Sequence, residues 1–227
     1  NREGEGYHEI LTRMRCGDSV IMPDQFIPLI VQFNLSQRFD MLVLETLFSV
    51  LHQHAGQRFS VNLLPATLMQ KDSAAQIIAL FQRYAVSPGL ITIEVTEEQA
   101  FSNADISQQN LEALRAFGCA IAIDDFGTGY ANYERLKHLQ ADIIKIDGCF
   151  VRDILTDPLD AIMVKSIVEM ARAKQMSVVA EYVESEPQKA RLLELGVNYL
   201  QGYLIGKPQP LGECRAKKSR ALPGSDD

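Results

Sequence analysis

Stretches that favour β-strands alternate with stretches that favour helices six or seven times along this chain, with short connections between them. Such alternation implies parallel strands covered by helices, either an open doubly wound sheet or a closed barrel. The strand candidates are His8–Arg13, with Glu9, Leu11 and Arg13 on one face, then Phe59–Leu63, Leu90–Val95, Cys119–Ile123, Asp142–Asp147, Val178–Tyr182 and Tyr199–Leu204. Between them, Pro23–Phe33 reads as a helix with proline in its first turn. Ser36 reads as the N-cap of a second, striped by Met41, Leu44, Leu47, Phe48 and Leu51 and closed by Gly56. Further helical stripes run over Ile77, Ile78, Leu80 and Phe81, and over Leu111, Leu114 and Phe117, the latter ended by Gly118. Asp157-Pro158 opens a helix to about Lys174, and Ser185 to Gln188 forms a capping box for the last one, ended by Gly196.

The most demanding stretch is Cys119 to Tyr130. Five small or apolar residues, Cys119–Ile123, stop at two adjacent carboxylates, Asp124 and Asp125, followed by Gly127-Thr128-Gly129. Neighbouring acids at the mouth of a buried strand repel, and each has its pKa raised unless a cation or strong donors compensate. A turn whose aspartates cap the next helix is the competing explanation.

Other polar residues decide between the two. Glu9, Asn62, Glu94, Asp124, Lys145, Glu181 and Gln201 each fall in or at the C-terminal part of a different strand candidate. In a barrel those ends form one ring, where active sites of that architecture lie, so an α/β chain folded as a (β/α)8 barrel of modified TIM type is expected. Singly, each residue has an ordinary explanation: Asn62 satisfying a loop, Glu94 paired with an arginine, Lys145 snorkelling, Gln201 as a surface amide. Together, carboxylates from separate strands cannot converge unpaired in a low-dielectric mouth, and a cation is implied. Oxygen donors without His or Cys at any strand end suit Mg²⁺ or Mn²⁺ better than zinc. Asp124 and Asp125 can bridge or divide two ions, the arrangement that clamps the attacking and leaving oxygens in phosphate-ester cleavage. Lys145 can hold water or stabilise developing negative charge, and Glu181 can orient that water or take its proton.

A length of 227 residues with 47% hydrophobic side chains fits one such barrel, expected over residues 1–212, with 213–227 as a frayed tail. Net charge of −7 without a basic block argues against binding long nucleic acid, and no apolar run reaches membrane-spanning length. Cys16, Cys119, Cys149 and Cys214 are scattered, as reduced thiols of a cytoplasmic protein would be.

The ordered motifs resemble those of a known family. Glu9-Ile10-Leu11-Thr12-Arg13, Pro23 to Pro28, Ser60-Val61-Asn62-Leu63, Glu94-Val95-Thr96-Glu97, Asp124 to Tyr130, Lys145-Ile146-Asp147, Ala180 to Glu184 and Gln201 to Leu204 are together similar to the EAL-domain family of cyclic-di-GMP phosphodiesterases. The resemblance implies hydrolysis of cyclic-di-GMP to linear pGpG with two Mg²⁺ or Mn²⁺ ions, Ca²⁺ being inhibitory. It implies that Glu9, Asn62, Glu94 and Asp124 hold the first ion and that Asp124 and Asp125 serve the second. Lys145, Glu181 and Asp125 would be catalytic, and Leu11, Arg13 and Gln201 would contact or support the substrate. Glu97, Phe126, Gly127, Thr128, Gly129 and Tyr130 match a regulatory loop that links homodimer formation, through the helix after Asp125, to metal binding. The alternative is a catalytically weak or inactive cyclic-di-GMP receptor. Tyr182 departs from the family's glycine beside Glu181, and Ala131-Asn132 from its Ser-Ser. The family's opening strand is not seen before Glu9, so the sequence is expected either to start inside the domain or to omit residues of that strand; in the full-length protein, sensory or inner-membrane domains are expected to accompany a cytoplasmic one.

Overall fold

The computed structural model describes residues 6–54, 56–97, 105–128 and 140–211. Gly129, Tyr130, Ala131, Asn132, the helix expected after the Asp pair, Cys214 and the expected tail lie outside the described residues. Seven parallel strands form one sheet in the order β1 (His8–Glu9), β4 (Phe59–Asn62), β5 (Ile91–Thr96), β6 (Ala120–Phe126), β7 (Ile143–Ile146), β8 (Ser177–Ala180) and β9 (Tyr199–Leu200). Successive strands of this sheet sit side by side, the order of a barrel and not of a doubly wound sheet.

The central strands are buried on both faces. Phe59, Val61, Ile91, Ile93, Val95, Ile121, Ile123, Ile144, Ile146, Val178 and Ala180 all belong to the core, which is the composition parallel sheets demand when helices cover them. The sheet is curled: Gln201, directly after β9 at one edge, places Nε2 2.6 Å from Glu9 Oε2 on β1 at the other edge. The two edges thus meet across the mouth, and the architecture is the expected modified TIM-type barrel.

The covering helices are α1 (Pro23–Gln32), α2 (Ser36–Val50), α3 (Pro65–Leu68), α4 (Ser73–Arg83), α5 (Asp105–Phe117), α6 (Gly148–Arg152), α7 (Pro158–Ala173) and α8 (Glu186–Glu194). Asp157 caps α7 by accepting from Leu159 N at 2.8 Å, and the Ser185/Gln188 capping box opens α8. The cap expected at Ser36 is displaced. Ser36 is already the first helical residue, because Leu35 O accepts the first helical bond from Phe39 N at 2.9 Å.

Two further expectations are corrected. Beyond Glu9 the chain leaves the sheet, so Leu11 and Arg13 are not on a strand face; an antiparallel hairpin of β2 (Met14–Cys16) and β3 (Ser19–Ile21) follows instead. Its two-residue turn is Gly17-Asp18, with Gly17 at φ +57 where other residues are strained. Val178–Tyr182 and Tyr199–Leu204 are each shorter as strands than expected, because Tyr182 takes φ +56 and the chain after Leu200 turns back through bonds from Ile205 and Gly206 to Gly202 O.

Candidate active site

Asp124 and Asp125 do not end β6 but lie inside it, at a β-bulge. Between the paired residues Ile123/Ile144 and Phe126/Ile146, β6 carries two residues while β7 carries one, Lys145. In regular extended chain the side chains of 124 and 125 would point to opposite faces. The bulge, with Asp125 at φ +53, undoes that alternation. Oxygens of Asp124, Asp125 and Glu181 consequently lie within 4.8 Å of one another, and a second group of Glu9, Glu94 and Asp124 meets the same limit. Asp124 belongs to both.

Lys145 stands at the centre. Its Nζ lies 2.8 Å from Glu94 Oε2, 2.8 Å from Glu181 Oε1, 2.9 Å from Asp124 Oδ1 and 3.4 Å from Glu9 Oε2. The lysine side chain has 0% exposure, which excludes snorkelling, and Glu94, equally buried, has this lysine for its partner in place of the arginine considered. Asn62 Nδ2 donates to Glu9 Oε1 at 2.9 Å, completing with Gln201 the hold on Glu9. Five strands and the residues directly after β8 and β9 therefore deliver Glu9, Asn62, Glu94, Asp124, Lys145, Glu181 and Gln201 to one place.

Burial sets the electrostatics. It pushes the carboxyls of Glu94 and Glu181 up to about 7 against the pull of Lys145, and Asp125 up to about 6 with help from Asp124 and Asp147. For Lys145, burial opposes the charge, but Glu94, Glu9, Glu181 and Asp124 outweigh it and hold the ammonium protonated. Five carboxylates and one ammonium sum to −5 + 1 = −4 when all are ionised, the charge two divalent cations neutralise. The donor set fits such ions on chemistry too: all oxygens and an amide, with no thiolate or imidazole in either group. Asp124 Oδ1, although near Lys145, is buried without a hydrogen bond of acceptable angle.

The folded-state values of Glu94 and Glu181 lie above those of free glutamate, about 4.3. Their protonation therefore stabilises the ion-free fold, an effect complete below that value and lost as pH rises through about 7. A cation must displace those protons. Mn²⁺ affinity is expected to climb with pH up to about 7, with protons released on binding at pH 6, measured by calorimetry in buffers of different ionisation enthalpy.

Glu97 is buried, and its Oε2 accepts from Gly127 N at 2.9 Å. Thr128 Oγ1 donates to Asp125 O at 2.9 Å, and Phe126 packs into the core. The described part of the Gly-containing loop is thus tied to both Glu97 and the bulge. Leu11 and Arg13 are exposed in the segment after β1, Arg13 donating to Thr12 O at 2.8 Å.

Two members escaped sequence reasoning. Asp147, N-cap of α6 through Cys149 N at 2.7 Å, also hydrogen-bonds Asp125. Burial works against its charge, but the donors at Cys149 and Asp125 prevail and lower its pKa. Tyr7 brings a buried hydroxyl to the start of β1; its place two residues before Glu9, on the same face of an extended chain, was the available signal.

Tyr182 turns its ring out of the site, 60% exposed, and over Gly148. A Cβ on Gly148 would stand 2.8 Å from Tyr182 Cβ. Gly148→Ala is expected to lower stability by about 1–3 kcal/mol by overpacking, and the loss is expected to vanish in a Tyr182→Gly background, read from urea midpoints of the four chains.

The family model for the EAL domain matches residues 2–208. The chain belongs to the EAL domain family. It is 61% identical over 217 residues to the probable cyclic di-GMP phosphodiesterase PdeA of Escherichia coli K12, covering 94% of this chain but 30% of that protein. Among solved EAL structures, that of PaMucR phosphodiesterase in complex with c-di-GMP superposes with TM-score 0.82 at 35% identity, covering 90% of this chain and 85% of that one. A manganese/c-di-GMP complex of Klebsiella pneumoniae BlrP1 is 30% identical with TM-score 0.75, covering 86% and 50%. Among the described EAL residues, no helix is long and apolar enough to cross a membrane.

Proposed function

We propose that this domain hydrolyses one phosphodiester bond of cyclic-di-GMP to give linear pGpG, using two Mg²⁺ or Mn²⁺ ions. The observation that carries the reading is Asp124, common to two groups of three carboxylates gathered about a buried lysine. The names of PdeA and the PaMucR complex point to the same substrate. Glu9, Asn62, Glu94 and Asp124 would hold one ion, and Asp124 and Asp125 the other, with Glu181 in reach. Bound there, such ions polarise the phosphate and lower the pKa of attacking water.

The chain's own groups divide the remaining work. Lys145, kept protonated by its neighbours, donates to water or to the charge developing on phosphate and does not act as base. Glu181, raised to about 7, is the group suited to accept the water's proton near neutral pH. Asp125 assists from the bulge, and Glu97 braces the loop through Gly127. Leu11, Arg13 and Gln201 would contact or support the substrate, with Arg13 on a phosphate. Dimerisation through the loop and the helix after Asp125, a cytoplasmic setting and Ca²⁺ inhibition belong to the same reading.

Incubation with cyclic-di-GMP and Mn²⁺, followed by chromatography, is expected to yield pGpG, and none in EDTA. A folded chain that binds the dinucleotide but yields no product with Mg²⁺ or Mn²⁺ would transfer the assignment to a receptor. The filled ligand positions favour hydrolysis.

A further inference from the structure

Beneath the acidic cluster, three buried polar atoms have no hydrogen-bond partner in the protein: Tyr7 Oη, Ser60 Oγ and Glu94 Oε1. Strand register stacks them through the barrel interior, Tyr7 below, Ser60 between and Glu94 above. Ser60 is paired with Glu9 on one side and Thr92 on the other, while Asn62 is paired with Glu94. Asn62 reaches Glu9 in the site, so Ser60, two residues earlier on β4, faces the same interior one layer lower. Tyr7 precedes Glu9, the partner of Ser60, by two residues and so starts one layer below Ser60 on the β1 side. Its hydroxyl is buried, and burial first, then the charge of Glu94, push the phenol up.

An unpartnered buried hydroxyl or carboxylate oxygen costs about 1–3 kcal/mol. Buried water with two to four polar partners is the usual remedy where the groups do not touch. We propose that Tyr7 is a positioning residue of this site, its hydroxyl and Ser60 Oγ together holding one enclosed water that hydrogen-bonds Glu94 Oε1 from below. The inference rests on the two-ion reading for its purpose, though not for its geometry.

Glu94 Oε2 is occupied by Lys145 at 2.8 Å. A carboxylate accepts at about four lone-pair positions, so Oε1 can take the floor contact and still face an ion. The floor contact would fix the carboxylate plane, as outer hydrogen bonds do for metal ligands, where their loss lowers metal affinity by about 10–100-fold. Tyrosine here also fills the barrel interior, so its ring and its hydroxyl must be tested apart.

Tyr7→Phe keeps the ring and removes the hydroxyl. Mn²⁺ affinity, followed by the electron paramagnetic resonance of free Mn²⁺, is expected to fall about tenfold or more, while the melting temperature in EDTA stays at the wild-type value. Unchanged affinity in the folded variant would overturn the proposal, and so would a fall accompanied by an equal loss of thermal stability, the mark of a merely structural residue. High-resolution diffraction of the ion-free wild type supplies the second arm. A water within hydrogen-bonding distance of Tyr7 Oη, Ser60 Oγ and Glu94 Oε1 is expected, and its absence would overturn the proposal. Should the wild type bind no Mn²⁺, the two-ion reading would fail, and diffraction alone would decide the role of Tyr7.

Discussion

Lys145→Met is expected to cost about 3–5 kcal/mol of stability at pH 8 in EDTA, the scale on which removing one partner leaves buried charge uncompensated. Four carboxylates lie within 3.4 Å of the ammonium it deletes. The loss should shrink at pH 5, because Glu94 and Glu181, already raised to about 7, then carry protons in place of the missing cation. Millimolar Mn²⁺ at pH 8 should restore part of it, since divalent ions supply the same compensation. Turnover would stay low, as the group that donates to water or to developing charge is gone, and such donors are worth about 10²–10³ in rate. Urea unfolding at the two pH values, with EDTA or Mn²⁺, checks the pattern. Equal stability of variant and wild type at pH 8 in EDTA would contradict it.

Asp124→Asn separates stability from activity in the opposite sense. Without ions, Lys145 still has Glu9, Glu94 and Glu181 around it, and one source of repulsion has gone. Stability in EDTA is therefore expected to hold or to rise, as when a strained functional group is neutralised. Both groups of three carboxylates lose the member they share. Hydrolysis of cyclic-di-GMP is expected to fall about a thousandfold or more, the upper range for one transition-state charge stabiliser. Chromatographic assay of pGpG beside a melting curve reads both. Near-normal turnover would remove Asp124 from the centre of the account.

The barrel was legible because its strands are apolar without alternation, as in β5 and β6, and its helices carry explicit signals at Asp157, Ser185 and Gly118. The ring of polar residues was legible because each stands in the C-terminal part of a strand or directly after it, and those parts of a parallel barrel converge whatever lies between them. What sequence could not give were events of register and rotation. The bulge opposite Lys145 has no residue signature, yet it alone turns Asp125 toward the face of Asp124. The partner of Glu94 could have been any cation; the register of β5, β6 and β7 makes it Lys145. Leu11 and Arg13 misled because alternation over five residues looks like a strand, whereas only His8 and Glu9 find a neighbour in β4. Tyr182, an odd substitution in sequence, is accommodated by the absence of a side chain at Gly148, a pairing visible only in three dimensions.

Counting Mn²⁺ bound per chain at pH 8 asks whether the charge of the ring, apart from any likeness to relatives, demands the ions. Two per wild-type chain are expected, with a rise in melting temperature on binding, and at most one in Asp124→Asn. A folded wild-type chain that takes up no Mn²⁺ at millimolar concentration, with its melting temperature unmoved, would contradict the two-ion reading.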